Sequence, residues 1–480
     1  MDRTRDLFSN PVFHILIVGV LAGILLFSNL DKGGLSGYDD AIFAYESRQM
    51  VQTADWLTIR ANGFLHFDYL PMFYWMEAVS MSILGFTDFA AKFPAALCGL
   101  ILIIITYFIA RELTDDPVTA VISAWVLMLT QYFMKYATHA MSDVPFAMFF
   151  SIALYFYLKG WENRRYFLIF GLAVALAIMT RTILGLIPLG IGLLHLALMR
   201  QFAALRSKEL IIGVIIAIGL PAILYLTYFS IFGHTFLEGH FSFIWQKTVS
   251  DGGLTLKGFV AGLVEYPYLL VKLYEPWFFI AMLGLYWKVK EMLTTRDRSA
   301  TFLVIWVCFV ILPFSFVSAK ILRYIMPVFP ALAILAAIPL SYWLQKFMKP
   351  TYRVAAFGLL CLGVLAIPLF SSPRYRAEPV VAIAPAIISN SHKEQRVILY
   401  TNGVLHHDVL NQLIWYTDRL YYHVGDLNEL WTRLKSEEPL VFVVDKKTFE
   451  GVVAPSGEEV EIVGVTNEYV CFRTQPTQSL

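Results

Sequence analysis

Asp39 and Asp40 stand side by side shortly after the first apolar run, Pro11–Leu30. A carboxylate held beside a bilayer suits general-base work, because burial lifts its pKa toward the working range. One of the two is expected to cap the next helix, since aspartate accepts the orphan N–H groups of a first turn. The other is then left for chemistry, with Asp40 as a supporting acid to Asp39. Asp143 stands at another span end, between Ser142 and Val144. Alone it reads as a surface cap; its weight comes from its expected place on the same side as Asp39. Three cations complete the set. Lys320 and Arg323, spaced i and i+3, share a helical face and could clamp a phosphate. Arg181, in Met179-Thr180-Arg181, sits at a span end on the same side. The ordinary alternative for such cations is snorkelling at an interface. Asp68 and His240 could together hold a divalent metal, though a lone loop histidine is usually just solvated.

The elements that must carry these groups can be read from composition. Of 480 residues, 58% are apolar and only 15% charged. A soluble protein carries about a quarter charged residues. The chain therefore reads as an all-α polytopic membrane protein. A net charge of +1 gives no basic field for nucleic acid. Cys98, Cys308, Cys361 and Cys471 lie far apart and form no metal or redox motif.

Further apolar runs lie near 93–110, 117–134, 144–158, 166–180, 182–199, 210–232, 266–287, 300–319, 324–344 and 354–370. With the first, about eleven to thirteen spans are expected. Lys and Arg gather in alternate loops, beginning with Arg3 and Arg5, which places the N-terminus inside and everything after residue 370 outside. Residues 1–371 then form a transmembrane domain with a structured first outer loop, 31–92. In that loop, Asp40–Ala54 has an apolar and a polar face and is expected to lie in the interface. Leu70–Phe86 contains Glu77 and is expected to do the same.

Residues 372–480 have ordinary soluble composition and read as a small α/β domain. Strands are expected at Val397–Tyr400, Leu440–Asp445, Val460–Val465 and Tyr469–Thr474. Helices are expected at His407–Arg419 and Leu427–Ser436, the second capped by Asp426. No Gly-rich loop opens either helix, so no nucleotide is expected.

In order along 1–345, these residues resemble the GT-C glycosyltransferases, in the branch of the protein O-mannosyltransferases and the aminoarabinose–lipid A transferases. The resemblance is carried by the stretch Gly37–Met50, which contains Tyr38-Asp39-Asp40, and by Asp55-Trp56-Leu57-Thr58, Phe67-Asp68-Tyr69-Leu70-Pro71, Tyr74-Trp75 and Phe93-Pro94-Ala95. It continues through Thr138–Asp143, Met179–Arg181 and Lys320–Pro327. It implies transfer of a sugar from a polyprenyl-phosphate carrier to a lipid, glycan or protein acceptor at the outer face of a bacterial plasma membrane. It makes Asp39 the catalytic aspartate and Asp143 the second acid. Lys320, Arg323 and Arg181 become the holders of the donor phosphate, and Asp68 and His240 the positions where some members bind a metal. The chain departs from the pattern at Asp40, usually glutamate, at Ile42 and Tyr69, where the family carries cations, and at Arg181, usually lysine.

The chemistry agrees with the resemblance. A sugar phosphate is already activated, and its leaving group is an anion best stabilised by cations aimed at it. The competing readings are a lipid or solute transporter or flippase, which would place charges at mid-membrane depth, and a scaffold whose motifs have decayed.

Overall fold

The computed structural model describes residues 11–37, 39–249, 255–317, 320–370, 379–403, 405–436 and 438–475. Arg3 and Arg5 lie outside them, as does part of the loop expected at 233–265.

Helix dominates because a chain in hydrocarbon must satisfy its own backbone groups. Among the described residues, five helical stretches are long and apolar enough to cross a membrane: Asp88–Thr114, Tyr166–Leu198, Lys208–Phe232, Arg298–Ser315 and Leu322–Phe347. A sixth is counted if Pro117–Leu129 and Gln131–Ala137, bent by 68°, form one broken span. The larger number expected from the sequence includes runs whose helices are shorter, such as Pro11–Phe27 and Asp143–Lys159, of 17 residues each. One expected span is corrected. Residues 266–287 do not form a single helix but the junction of two, Leu256–Leu273 and Trp277–Thr295. Pro276 separates them, and the residue before a proline is pushed out of helical geometry.

The chain forms two compact units. The first comprises Met1–Leu30, Phe67–Met76 and Lys92–Ser372. One of its tight helix crossings is made by two glycines. A Cβ on Gly171 would lie 2.0 Å from the Gly213 carbonyl oxygen, and one on Gly213 would lie 2.3 Å from that of Phe167. The helices Tyr166–Arg181 and Lys208–Phe232 therefore meet backbone to backbone. The first of these stops at Arg181, because Thr182 takes φ 52° and ψ −131°.

The second unit comprises Asp31–His66, Glu77–Ala91 and Pro373–Leu480. Much of the first outer loop, expected to go with the membrane domain, thus packs with the tail. The tail holds a five-stranded sheet in the order Tyr421–Val424, Val397–Tyr400, Val441–Asp445, Tyr469–Thr474, Val460–Val465. The first three strands are parallel and the last two pairings antiparallel. Parallel neighbours need crossovers, which the helices His407–Thr417 and Leu427–Leu434 supply. The strand Tyr421–Val424 was not expected; at four residues it is too short to show a period. Asp426 occupies the N-cap position of the second helix, but its side chain makes no capping bond.

The outer loop also departs from expectation. The helix Asp40–Thr53 does not keep a wet polar face: Glu46, Ser47 and Arg48 are buried with Phe43 and Met50. The helix Met72–Leu84 buries Glu77 completely. The first thus departs from the pattern of a helix lying on a membrane, whereas the second leaves Val79, Ile83 and Leu84 exposed on one side.

The glycine crossing gives a direct test. Gly171→Leu forces two backbones apart and is expected to cost about 1–3 kcal/mol or more. Gly23→Leu, with nothing within 4 Å of its Cβ direction, is expected to leave stability near that of the parent. Thermal unfolding of the two variants in detergent measures the difference.

Candidate active site

Within the first unit, the sequence-predicted residues Asp143, Arg181 and Arg323 come together. Asp143 opens the helix Asp143–Lys159 and is 3% exposed. Arg181 ends the helix Tyr166–Arg181, and its Nη2 lies 2.6 Å from Asp143 Oδ1. Burying either charge alone would be costly; together, in a charge-assisted contact, they are tolerated. Tyr69 completes the hold. Its hydroxyl accepts from Arg181 Nη1 at 3.4 Å, and its ring lies 5.0 Å from the guanidinium carbon. At the sequence level Tyr69 counted only as a lost cation; here it is a support for one that remains.

Tyr324 joins the two arginines. Its ring centroid is 5.9 Å from the Arg181 guanidinium and 5.8 Å from that of Arg323, which also lies 6.0 Å from the Tyr136 ring. Buried Arg181 Nε has no hydrogen-bond partner among the described residues. A buried N–H of a fixed guanidinium is an open donor, and unmade bonds of this kind are expensive.

Lys320 is placed differently. The sequence put it on one helical face with Arg323, but Ile321 is extended (φ −111°, ψ 121°) and the 3-10 turn begins only at Leu322. The Lys320 ammonium donates to the carbonyls of Ser315, at 2.6 Å, and Val317. It thus closes the end of the helix Arg298–Ser315, where orphan carbonyls carry negative charge. Burial lowers its pKa, and the nearby Glu265 carboxylate opposes that shift.

His240 belongs to the helix His234–Val249 and is fully buried. Its Nδ1 lies 2.7 Å from the Phe67 carbonyl oxygen and its Nε2 2.9 Å from the Tyr225 hydroxyl. A carbonyl only accepts, so Nδ1 carries the proton and Nε2 accepts from Tyr225. Burial lowers the His240 pKa, with the Asp68 charge acting against it. A catalytic zinc usually has three protein ligands. Among the described residues no three His, Cys, Asp or Glu side chains are grouped to hold a metal. Asp68 and His240 would supply two, and the second only by displacing Tyr225. The donor set does not fit a resident metal.

In the second unit, Asp39 takes the N-cap position of the helix Asp40–Thr53, yet its side chain makes no capping bond. Asp40 is buried, and its Oδ2 accepts from the Ser36 N–H at 3.3 Å. The expected cap is therefore absent: neither carboxylate bonds a first-turn N–H, Asp40 fastening the loop instead, while half-buried Asp39 does not spend its carboxylate on the first turn. A group the sequence did not single out lies on the same helix. Glu46 pairs with His66, and Ser47 donates to Glu77 Oε2 at 2.7 Å. Burial raises the Glu77 pKa well above its ordinary value of 4.5; the Ser47 bond opposes this, and the Asp40 and Glu46 charges add to it. A glutamate inside an otherwise apolar helix was the available signal.

Comparison with known proteins adds the family context. Residues 68–227 match the dolichyl-phosphate-mannose-protein mannosyltransferase family. An undecaprenyl phosphate-alpha-4-amino-4-deoxy-L-arabinose arabinosyl transferase of Aeromonas hydrophila is 27% identical over 383 residues, covering 75% of this chain and 67% of the relative. The crystal structure of ArnT from Cupriavidus metallidurans bound to undecaprenyl phosphate superposes with a TM-score of 0.76 at 20% identity, covering 98% of this chain and 99% of the other. The chain has the fold of the GT-C membrane glycosyltransferases, and its residues 68–227 resemble the PMT branch of them. A wider circle of the fold is seen in AglB, the archaeal oligosaccharyltransferase from Archaeoglobus fulgidus, in complex with an inhibitory peptide and a dolichol-phosphate. Its TM-score is 0.60 at 13% identity, over 97% of this chain and 74% of that one.

The Glu77 shift predicts a pH dependence. A carboxyl with a raised folded-state pKa stabilises the fold fully below its unfolded pKa, and that contribution is lost as pH rises through the folded value. Glu77→Gln, which cannot ionise, is therefore expected to unfold at a higher temperature than the parent at pH 8, with the gap closing toward pH 4. Parallel melting curves across that range check it.

Proposed function

We propose that this glycosyltransferase moves a sugar from a polyprenyl-phosphate donor to an acceptor at the outer face of the membrane. Asp39 acts as general base and the Arg181–Arg323 pair holds the donor phosphate. The observation that carries the phosphate assignment is the buried Arg181 guanidinium, fixed by Asp143 and Tyr69 while its Nε–H keeps no partner among the described residues. A phosphate oxygen is the acceptor that such a donor lacks. Asp143 acts through Arg181, by orienting it and balancing its charge. Lys320 contributes positive potential from its seat on the helix end.

The reaction balances simply. Asp39 takes the proton of the acceptor hydroxyl. The acceptor oxygen bonds to the anomeric carbon as the bond from that carbon to the phosphate oxygen breaks. The electron pair leaves with the polyprenyl phosphate, where fixed cations stabilise it more than they stabilise the donor ester. The arabinosyl transferase relative favours an aminopentose on an undecaprenyl carrier as the donor and a lipid acceptor.

The topology belongs to the same reading. The membrane domain lies within residues 1–371, with its N-terminus inside, and residues 372–480 lie outside with the outer-loop segments that pack against them. In a cysteine-free background, Asn428→Cys is expected to react with an impermeant maleimide on intact cells, and Thr295→Cys only after permeabilisation. The reverse pattern would overturn the orientation and with it the outer-face site.

Activity is tested with a labelled polyprenyl-phosphate sugar, by measuring release of the free lipid phosphate. Asp39→Asn is expected to slow release by about 100- to 10,000-fold while leaving donor binding near that of the parent. Arg181→Ala is expected to weaken donor binding about tenfold or more, with Arg181→Lys recovering only part of it because an ammonium lacks the planar fork. Parental turnover in Asp39→Asn would remove the base, and unchanged donor affinity in Arg181→Ala would remove the phosphate site.

A further inference from the structure

The loop that carries Asp39 has little structure of its own. Residues 34–36 are neither helix nor strand, so their backbone groups need partners from elsewhere. The tail helix His407–Thr417 supplies them. Leu35 N–H donates to the Tyr416 hydroxyl at 2.9 Å, and the Gln412 side-chain amide donates to the Leu35 carbonyl at 2.8 Å. Both Leu35 and Gln412 are fully buried. The Tyr416 hydroxyl donates in turn to Asp88 Oδ2 at 2.9 Å, and Trp415 Nε1 donates to the other oxygen of that carboxylate at 2.8 Å. Gly37 lies directly on the first turn of the same helix: a Cβ there would stand 2.2 Å from the Asp408 carbonyl oxygen.

The grip continues beyond Asp39. Arg48, on the helix that Asp39 begins, donates to the carbonyls of Trp415 at 2.9 Å and Ile414 at 3.1 Å, and pairs with Asp418 at 3.1 Å. Its guanidinium also lies 4.7 Å from the Trp415 ring. Orphan carbonyls at a helix C-terminus are where a cation is most stabilising. One tail helix thus holds the chain before Asp39 at Leu35 and Gly37, and the chain after it at Arg48. All of these groups belong to one compact unit.

We propose that the helix His407–Thr417 positions the base of the reaction, with Gln412 and Tyr416 as positioning residues that act through Leu35 on Asp39. This rests on the reading of Asp39 as that base. A catalytic group set on an irregular loop must be held to a fraction of an ångström, and a misplacement of about 1 Å can cost on the order of 100-fold in rate. Two side-chain bonds to one residue's backbone fix the position of the loop and its rotation together.

The test uses the full-length chain in detergent with a labelled polyprenyl-phosphate sugar. Tyr416→Phe removes one hydroxyl without changing packing; Gln412→Ala removes the second bond. Each is expected to lower kcat about tenfold or more, to leave the KM for the donor within about twofold, and to displace the acidic limb of the kcat pH profile, which reports the base in its complex. Gln412→Asn, whose shorter amide cannot reach as far, should fall between parent and Gln412→Ala. A contribution to stability alone would lower the unfolding temperature and the active fraction without moving that limb, and this outcome would overturn the proposal. Parental kcat and pH profile in Tyr416→Phe would overturn it too, and this isosteric variant decides alone if Gln412→Ala does not fold. Asp39→Asn is measured beside them. If it retains turnover, the base assignment fails; if it is inactive while Tyr416→Phe is normal, the assignment stands and only the positioning fails.

Discussion

A charge taken out of water must bring its partner with it, and the site is arranged around that constraint. Arg181 is held by Asp143 and two tyrosine rings because nothing else in an apolar helix bundle could stabilise a guanidinium. Lys320 lies on the carbonyls that end a helix for the same reason. Arg48 repeats the solution on the tail helix, with a carboxylate and two carbonyls. In each case the cation is immobilised by groups that do not consume all its donors. A cation fixed in this way needs little rearrangement to act on a nearby charge, unlike one on a flexible charged surface.

The two acidic systems serve different ends. Asp143 is tied to a cation, so its charge is spent locally. Glu77 is tied to a serine, beside Asp40 and Glu46, and burial drives it toward the neutral form. The Asp40 and Glu46 charges add to the rise in the Glu77 pKa. Like charges in one buried place cannot all ionise.

Much of this was legible in the sequence. Helical runs and the α/β tail could be read from apolar run length, and Asp143, Arg181 and Arg323, singled out as charges placed where membranes disfavour them, lie close together. What was hidden depended on contacts between distant segments. The polar face of Asp40–Thr53 has the pattern of an interfacial helix; only the tail residues Ile414, Trp415 and Asp418, far along the chain, show why Arg48 is buried. The strand Tyr421–Val424 was too short for periodicity. Lys320 looked like a partner of Arg323 on a helical face, because spacing alone does not reveal that Ile321 is extended. Tyr69 could be seen as the loss of a cation but not as a rest for another.

The bond between Leu35 and Gln412 spans 377 residues. During synthesis, the loop bearing Asp39 emerges among the first segments and its support among the last. Closing so long a stretch of chain is slow compared with local helix formation. The membrane helices can therefore insert and pack while the loop still waits for its brace. A chain interrupted before residue 412 would carry its membrane helices while the loop at Leu35 lacked this brace.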